Sequence, residues 1–421
     1  MKSIIEVYKI GYGPNTDLHC MPYVACKEIK KMILNDFKKI DSIEICLYNE
    51  FAKYYHNDCK FKRVMIDGFK ELKVPVRIKA VKITPPAVRA LYTFDVNINL
   101  MKKTQTITHR VIGTGGGNYI ITDIAKKPKY PFQNFAEMEK YFLTHKNISF
   151  LKYVNSFEKN DIIVKHFKQC LKVMNNLIAS GLKKTGNLTF ENKASICYKR
   201  RARAILTTKP KNESCSETIN RLISAYVYAI CEENISNNSK IVCSPTCSTT
   251  GILWGTLKFV IDKYKPSQER IFNGLVGAGL LCSLFSKNAS IASDIVGCGG
   301  VIGTACGMTA ALISHIIYNA NISEMGNAFE MALEHSLGIT CDSCHWLPII
   351  PCIQRCASFA LRAYEIAVLN HSLMQTPKLC KLDDVIQAVY ETGMDNLQKH
   401  KLIGHGCFKQ HALYALKKEG K

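Results

Sequence analysis

Three cysteines, Cys298, Cys341 and Cys352, stand in segments suited to aiming a sulfur atom. The first lies in NASIASDIVGCGGVIGTACGM, and the other two lie in EHSLGITCDSCHWLPIIPCIQRC. Glycine lets the backbone approach a bulky ligand, and short turns fix the direction of a thiolate, so the arrangement suits a soft metal. The spacing is too wide for one short zinc pattern to take in all three. Cys341, Cys344, Cys352 and Cys356 form a zinc-like alternative, and Cys341-Asp-Ser-Cys344-His345 fits the C-x-x-C-H haem-attachment pattern. Haem attachment needs an export context that the chain does not display. The plain alternative is packing, because an unpaired cysteine buries like a small hydrophobe.

The composition sets the setting for that chemistry. At 421 residues, of which 47% are hydrophobic, two or three domains with real cores are expected. The opening MKSIIEVYKIGYGPN has no continuous apolar run and no small-residue cleavage site, so no secretory leader is expected. Nineteen cysteines without export point to a reducing, cytoplasmic compartment, and the odd number excludes complete internal pairing. The most apolar stretches are 271–285 and 301–320. One is too short to span a bilayer, and the other carries Thr304, Ser314 and His315, so both read as buried core helices. The net charge of +22 favours an anionic partner in principle. Its densest cluster, Lys199-Arg200-Arg201-Ala202-Arg203, leads into a helical pattern without an aromatic platform, so a solvated surface is expected rather than nucleic-acid binding.

Hydrophobic periodicity supplies the elements that must position the cysteines. Residues 1–125 mix a helix over 22–37 with strands at 43–47, 74–83, 94–100 and 106–112, which is an α+β domain. Residues 126–150 hold a Lys/Pro linker and a short helix that Asn134 can cap. Residues 151–421 form a mostly α-helical domain, with helical patterns at 161–180, 216–232, 252–264, 268–286, 306–318, 323–337, 353–369 and 382–399. Gly113-Thr114-Gly115-Gly116-Gly117 follows a strand; no Walker lysine comes after it, so a tight bend is favoured over a phosphate cradle. Between two of the helices, Cys243-Ser-Pro-Thr-Cys-Ser-Thr-Thr-Gly251 gathers hydroxyls at a helix start. Such an end can bind a carboxylate, although ordinary helix capping explains the same residues.

Several of these words, in one order, resemble a known family. S-x-N-A-S-I, V-G-C-x-G, G-x-A-C-x-M-x-A-A, E-H-x-L-G-I-T-C-D and P-C-I-x-R are similar to the catalytic domain of the iron–sulfur L-serine dehydratases. Pro245, Thr246 and Gly251 match that family's T-A-P-T-N-G-x-x-G loop, and the opening K-I-G-Y-G-P-N-T-D-L-H-C-M-P resembles the start of its β domain. The resemblance implies a single chain with a β-like domain followed by a helical domain that carries a [4Fe–4S] cluster on Cys298, Cys341 and Cys352. It also implies conversion of L-serine to pyruvate and ammonia, a homodimeric assembly, His19 or His56 as the base, and Thr16 and Thr246 as serine contacts.

That chemistry needs a Lewis acid to carry off hydroxide and a base to take the weakly acidic α-proton. Three thiolates on a cubane leave one iron open for catalysis, whereas a fourth closes the site; Cys306, Cys344, Cys356 and Cys407 stand as candidates for a fourth. The departures from the family pattern gather in the substrate words. Cys247 replaces the loop asparagine, Gln354-Arg355-Cys356 replaces E-R-N, and His19 and His56 sit out of register with the family's histidine motifs. The residues therefore leave open a member with another amino-acid substrate, or an inactive metal-binding or redox-sensing homologue.

Overall fold

The computed structural model describes residues 6–9, 25–26, 29–31, 33–34, 40–48, 59–81, 92–100, 106–115, 118–123, 130–158, 160–189, 197–235, 240–291, 293–340, 348–373, 376 and 380–400. They belong to two compact units. One comprises residues 17–129, and the other joins β1 (Glu6–Lys9) to residues 130–421.

The smaller unit is a five-stranded mixed sheet built from β2 (Ile40–Tyr48), β3 (Val76–Val81), β4 (Tyr92–Leu100), β5 (Thr106–Gly115) and β6 (Asn118–Asp123). The strand order is β3-β2-β4-β5-β6. Among the described strands only β2 and β3 run parallel, and a parallel pair needs a crossover, which contains helix α1 (Cys59–Asp67). Alternation sorts the faces of β4: Phe94, Val96 and Ile98 join Ile43, Ile45, Ile29 and Phe69 in the core. On the alternate positions, Asn97 and Asn99 bond across to Cys46, Ser42, Thr106 and Thr108. Of the glycine run, Gly113 and Gly115 belong to β5 and pair antiparallel with β6, while Gly116 and Gly117 lie outside the described residues. β5 ends at Gly115, which pairs with Asn118 of β6, so the run leads into a strand and not into a helix start.

The larger unit is helical. Its helices are α2 (Phe135–Thr144), α3 (Phe150–Asn155), α4 (Asn160–Lys183), α5 (Ala202–Thr207), α6 (Cys215–Asn234), α7 (Thr250–Tyr264), α8 (Gln268–Asn288), α9 (Ser293–Tyr318), α10 (Ile322–Glu334), α11 (Cys352–Leu373) and α12 (Leu382–His400). Local signals set several ends. Asn134 accepts from the Glu137 amide at 2.9 Å, as expected of a cap, while Asp383 of α12 accepts from the amides of Phe135 and Ala136. Ser214 and Asn321 each form a capping box with the glutamate three residues on. Two short antiparallel pairs complete the unit: β7 (Asn187–Thr189) with β8 (Cys197–Lys199), and β1 with β9 (Lys240–Cys243).

Helix α9 lies at the centre, packed against α7, α8, α10, α11 and α12. Its stretch Val296–Tyr318 is long and apolar enough to cross a membrane, with mean hydropathy 1.7, yet 94% of the most apolar window is buried inside the fold. The sequence pattern placed this helix at 306–318, whereas the structure begins it at Ser293. A helix buried on all sides has no polar face, so its first turns show no amphipathic period.

Candidate active site

The expected cysteines must be located through the elements that carry them. Cys298 is buried and follows a break inside α9: Gly297 has φ 60° and ψ −167°, a backbone conformation open in practice only to glycine. The helix therefore restarts at Cys298, and the glycine-flanked turn read from the sequence is a kink within one helix. Cys352 is half-buried and is the first residue of α11. Both sulfurs thus start a helical segment, where the positive end of the peptide dipoles favours an anionic ligand. Cys341 lies outside the described residues, but the two residues before it do not. The Gly299 amide donates to the Ile339 carbonyl at 3.0 Å, and the Arg355 guanidinium donates to the Thr340 carbonyl at 2.7 Å. The chain entering Cys341 is therefore tied on one side to the residue after Cys298 and on the other to the first turn of α11.

Glycine at 299 is dictated by this junction. A Cβ there would stand 2.7 Å from the Ser336 carbonyl oxygen, a backbone atom that cannot swing aside. Arg355 is the part of this arrangement that composition did not single out as functional; its place in the P-C-I-x-R word was the available signal.

The hydroxyl-rich segment forms a loop between β9 and α7, as the helix-start reading required. Thr246 is fully buried. Its hydroxyl lies 2.6 Å from that of Thr249 and 3.2 Å from that of Ser248. Thr249, at the N-cap of α7, makes no side-chain capping bond, so its hydroxyl serves the loop and not the helix end. Among the contacts that hold the loop, Asn234 donates to the Cys247 carbonyl at 2.8 Å, Trp254 to the Ser244 hydroxyl at 2.8 Å, and the Thr250 hydroxyl to the Val242 carbonyl. Cys243 and Cys247 form a disulfide with Cα atoms 4.4 Å apart, closing the loop around Thr246. Neither Asn234 nor this pairing was read from the sequence, since each depends on a partner brought in by the fold.

Two of the cysteines considered as a further ligand make other contacts. Cys356, one turn beyond Cys352, donates its thiol to the Ser248 carbonyl at 3.3 Å. Its contact with the Cys231 thiol, followed by burial, holds Cys356 well above the ordinary thiol range, so it stays protonated. Cys306 donates to the Phe359 carbonyl at 3.4 Å, and burial likewise pushes its thiol up. Cys344 and Cys407, together with Thr16, His19 and His56, lie outside the described residues. His335 is exposed at the C-cap of α10. Glu330, Glu334 and Cys380 also offer ligand atoms within 4.8 Å of one another.

The serine dehydratase alpha chain family matches residues 50–408. The chain belongs to this family. It is 26% identical over 460 aligned residues to the L-serine dehydratase of Haemophilus influenzae, covering 96% of this chain and 98% of that protein. To L-serine dehydratase 2 of Escherichia coli K12 it is 25% identical over 453 residues, again with 96% and 98% covered. A shorter alignment to the L-serine dehydratase of Helicobacter pylori reaches 35% identity over 181 residues, or 42% of this chain and 39% of the relative. These serine dehydratases are named for a carbon–nitrogen lyase reaction. The family match takes in Thr246, Cys298, Cys341 and Cys352 and leaves Thr16 and His19 outside its bounds.

Proposed function

We propose that this serine dehydratase family member is an L-serine ammonia-lyase that converts L-serine to pyruvate and ammonia, with a [4Fe–4S] cluster held by Cys298, Cys341 and Cys352. The proposal is carried by one observation: the two residues preceding Cys341 accept hydrogen bonds from Gly299 and Arg355, next to the other two cysteines. A set of thiolates at helix starts is the donor chemistry an iron–sulfur cluster takes. When bound, a cluster with one iron lacking a thiolate supplies a Lewis acid for the departing hydroxide. The Cys356 and Cys306 thiols are engaged by the Ser248 and Phe359 carbonyls, which supports a set of three thiolates.

The chain's own residues do the remainder. Thr246, presented by its buried hydroxyl network, contacts serine together with Thr16. His19 or His56 takes the α-proton, a role suited to an imidazole because its ordinary pKa lies near neutrality. The enamine released by loss of water then tautomerises and hydrolyses in solution to pyruvate and ammonia.

A second reading, an inactive metal-binding or redox-sensing homologue, is favoured by the Cys243–Cys247 disulfide in the loop carrying Thr246. One experiment separates the two. The protein is purified without oxygen, its iron and sulfide are assayed, and pyruvate formed from L-serine is followed with circular dichroism during exposure to air. The lyase loses activity while its helical signal remains, because loss of iron removes the Lewis acid and leaves the core. Pyruvate formation that persists in aerated, iron-free protein overturns the cluster mechanism, and bound iron without turnover supports the second reading.

A further inference from the structure

The elements carrying Cys352 and Thr246 meet at one buried side chain. Cys356 is 1% exposed and stands on the first turns of α11, four residues after Cys352. Its thiol crosses to the loop after β9 and donates to the Ser248 carbonyl at 3.3 Å. Ser248 lies two residues from Thr246, and their hydroxyls are 3.2 Å apart. Cys231 on α6 also contacts the Cys356 thiol. Three residues further along α6, Asn234 holds the neighbouring Cys247 carbonyl at 2.8 Å. Consecutive carbonyls of the loop, those of residues 247 and 248, are therefore fixed by side chains from two different helices. The Cys247 carbonyl is fixed from α6, and the Ser248 carbonyl from the helix that begins with Cys352.

The chemistry of this contact suits a coupling role. A carbonyl oxygen accepts a thiol proton weakly, so the bond orients the loop without locking it as an ion pair would. A displacement of the first turn of α11 moves the Cys356 donor, and with it the Ser248 carbonyl. A merely apolar side chain at this position would fill the space and leave that carbonyl unheld.

We propose, resting on the lyase reading above, that Cys356 is a positioning residue that couples the cysteine turn of α11 to the serine-binding loop. It acts through the Ser248 carbonyl and ligates no iron. Its effect is to keep Thr246 oriented toward substrate when ligands at Cys352 hold the helix start in place.

The test uses the full chain purified without oxygen, as wild type, Cys356→Ala and Cys356→Ser. Three quantities are read: iron and sulfide per chain, KM and kcat for L-serine, and amide hydrogen exchange of residues 246–249. Cys356→Ala is expected to retain its iron and sulfide. Its KM should rise about threefold, the scale of one lost weak hydrogen bond, with a smaller change in kcat. Exchange across the loop should quicken in step. Cys356→Ser retains a hydroxyl donor and should recover most of both effects, a rescue that a purely space-filling role would not produce. Loss of iron in Cys356→Ala, with wild-type iron present, overturns the proposal by making Cys356 a ligand while leaving the lyase reading intact. Unchanged KM and unchanged exchange overturn it as well, by reducing the contact to packing. If the wild type itself binds no iron and forms no pyruvate, the lyase reading fails. The exchange difference between the alanine and serine variants then still decides whether Cys356 holds the loop.

Discussion

Replacing Gly299 by alanine tests whether the cysteine segments are joined as the hydrogen bonds indicate. The new Cβ would lie 2.7 Å from the Ser336 carbonyl oxygen and 3.5 Å from the Ile339 amide nitrogen. Relief requires the backbone at 336–339 to retreat, and overpacking of this kind costs about 1–3 kcal/mol. Retreat also lengthens the 3.0 Å bond from the Gly299 amide to the Ile339 carbonyl. That bond is worth about 0.5–1.5 kcal/mol. Alanine returns up to about 1 kcal/mol through helix propensity, which leaves a net cost near 2 kcal/mol. Concentrated on the junction before Cys341, this raises the opening constant of that segment about thirtyfold. The assay is the rate at which anaerobically purified protein yields iron to a chelator, paired with hydrogen exchange at Ile339 and Thr340. Gly299→Ala should release iron faster, exchange faster at those two amides and keep its helical content. Wild-type iron retention together with wild-type exchange would refute the convergence of Cys298 with the chain entering Cys341.

Two further outcomes concern the scaffold. The Arg221 guanidinium bonds to Glu213 and holds its carboxyl at about 2, below the ordinary 4.5. A depressed carboxyl stabilises the fold fully above its unfolded value and loses that contribution as pH falls from 4.5 toward 2; thermal melts over this window should therefore show a shallower pH dependence in Glu213→Gln than in wild type. Ser214→Ala removes the hydroxyl that accepts from the Glu217 amide at 3.2 Å and breaks the capping box of α6. Denaturant unfolding should show a loss of about 1 kcal/mol, with iron content unchanged.

Local chemistry wrote much of this protein directly into its sequence. The 3.6-residue period announced α4, α6, α7, α8, α10, α11 and α12 close to their observed bounds, and Asn134 marked a helix start that the fold uses as written. Alternating β-branched residues announced the strands at 43–47, 94–100 and 106–112, because a strand's two faces differ at every second residue. The glycine beside Cys298 announced a special backbone, though not that it breaks a helix rather than forming a loop. Family words around the cysteines likewise pointed to the serine dehydratases, which the match over residues 50–408 shows.

Other features required the folded chain. Val7 pairs with Val242, on the far side of the whole smaller unit in sequence, so β1 joins the helices and not the five-stranded sheet. No local propensity selects a partner strand at that separation. The Cys356 contact with Ser248, the Arg355 contact with Thr340 and the Asn234 contact with Cys247 each join residues from different elements. The sequence supplied the donors and acceptors, but their pairing follows from how α6, α9 and α11 pack. It is this packing that sets the Cys356 thiol against the Ser248 carbonyl. The period of a helix is a property of neighbouring residues, whereas the partner of a buried polar group is set by whichever element the apolar core brings against it.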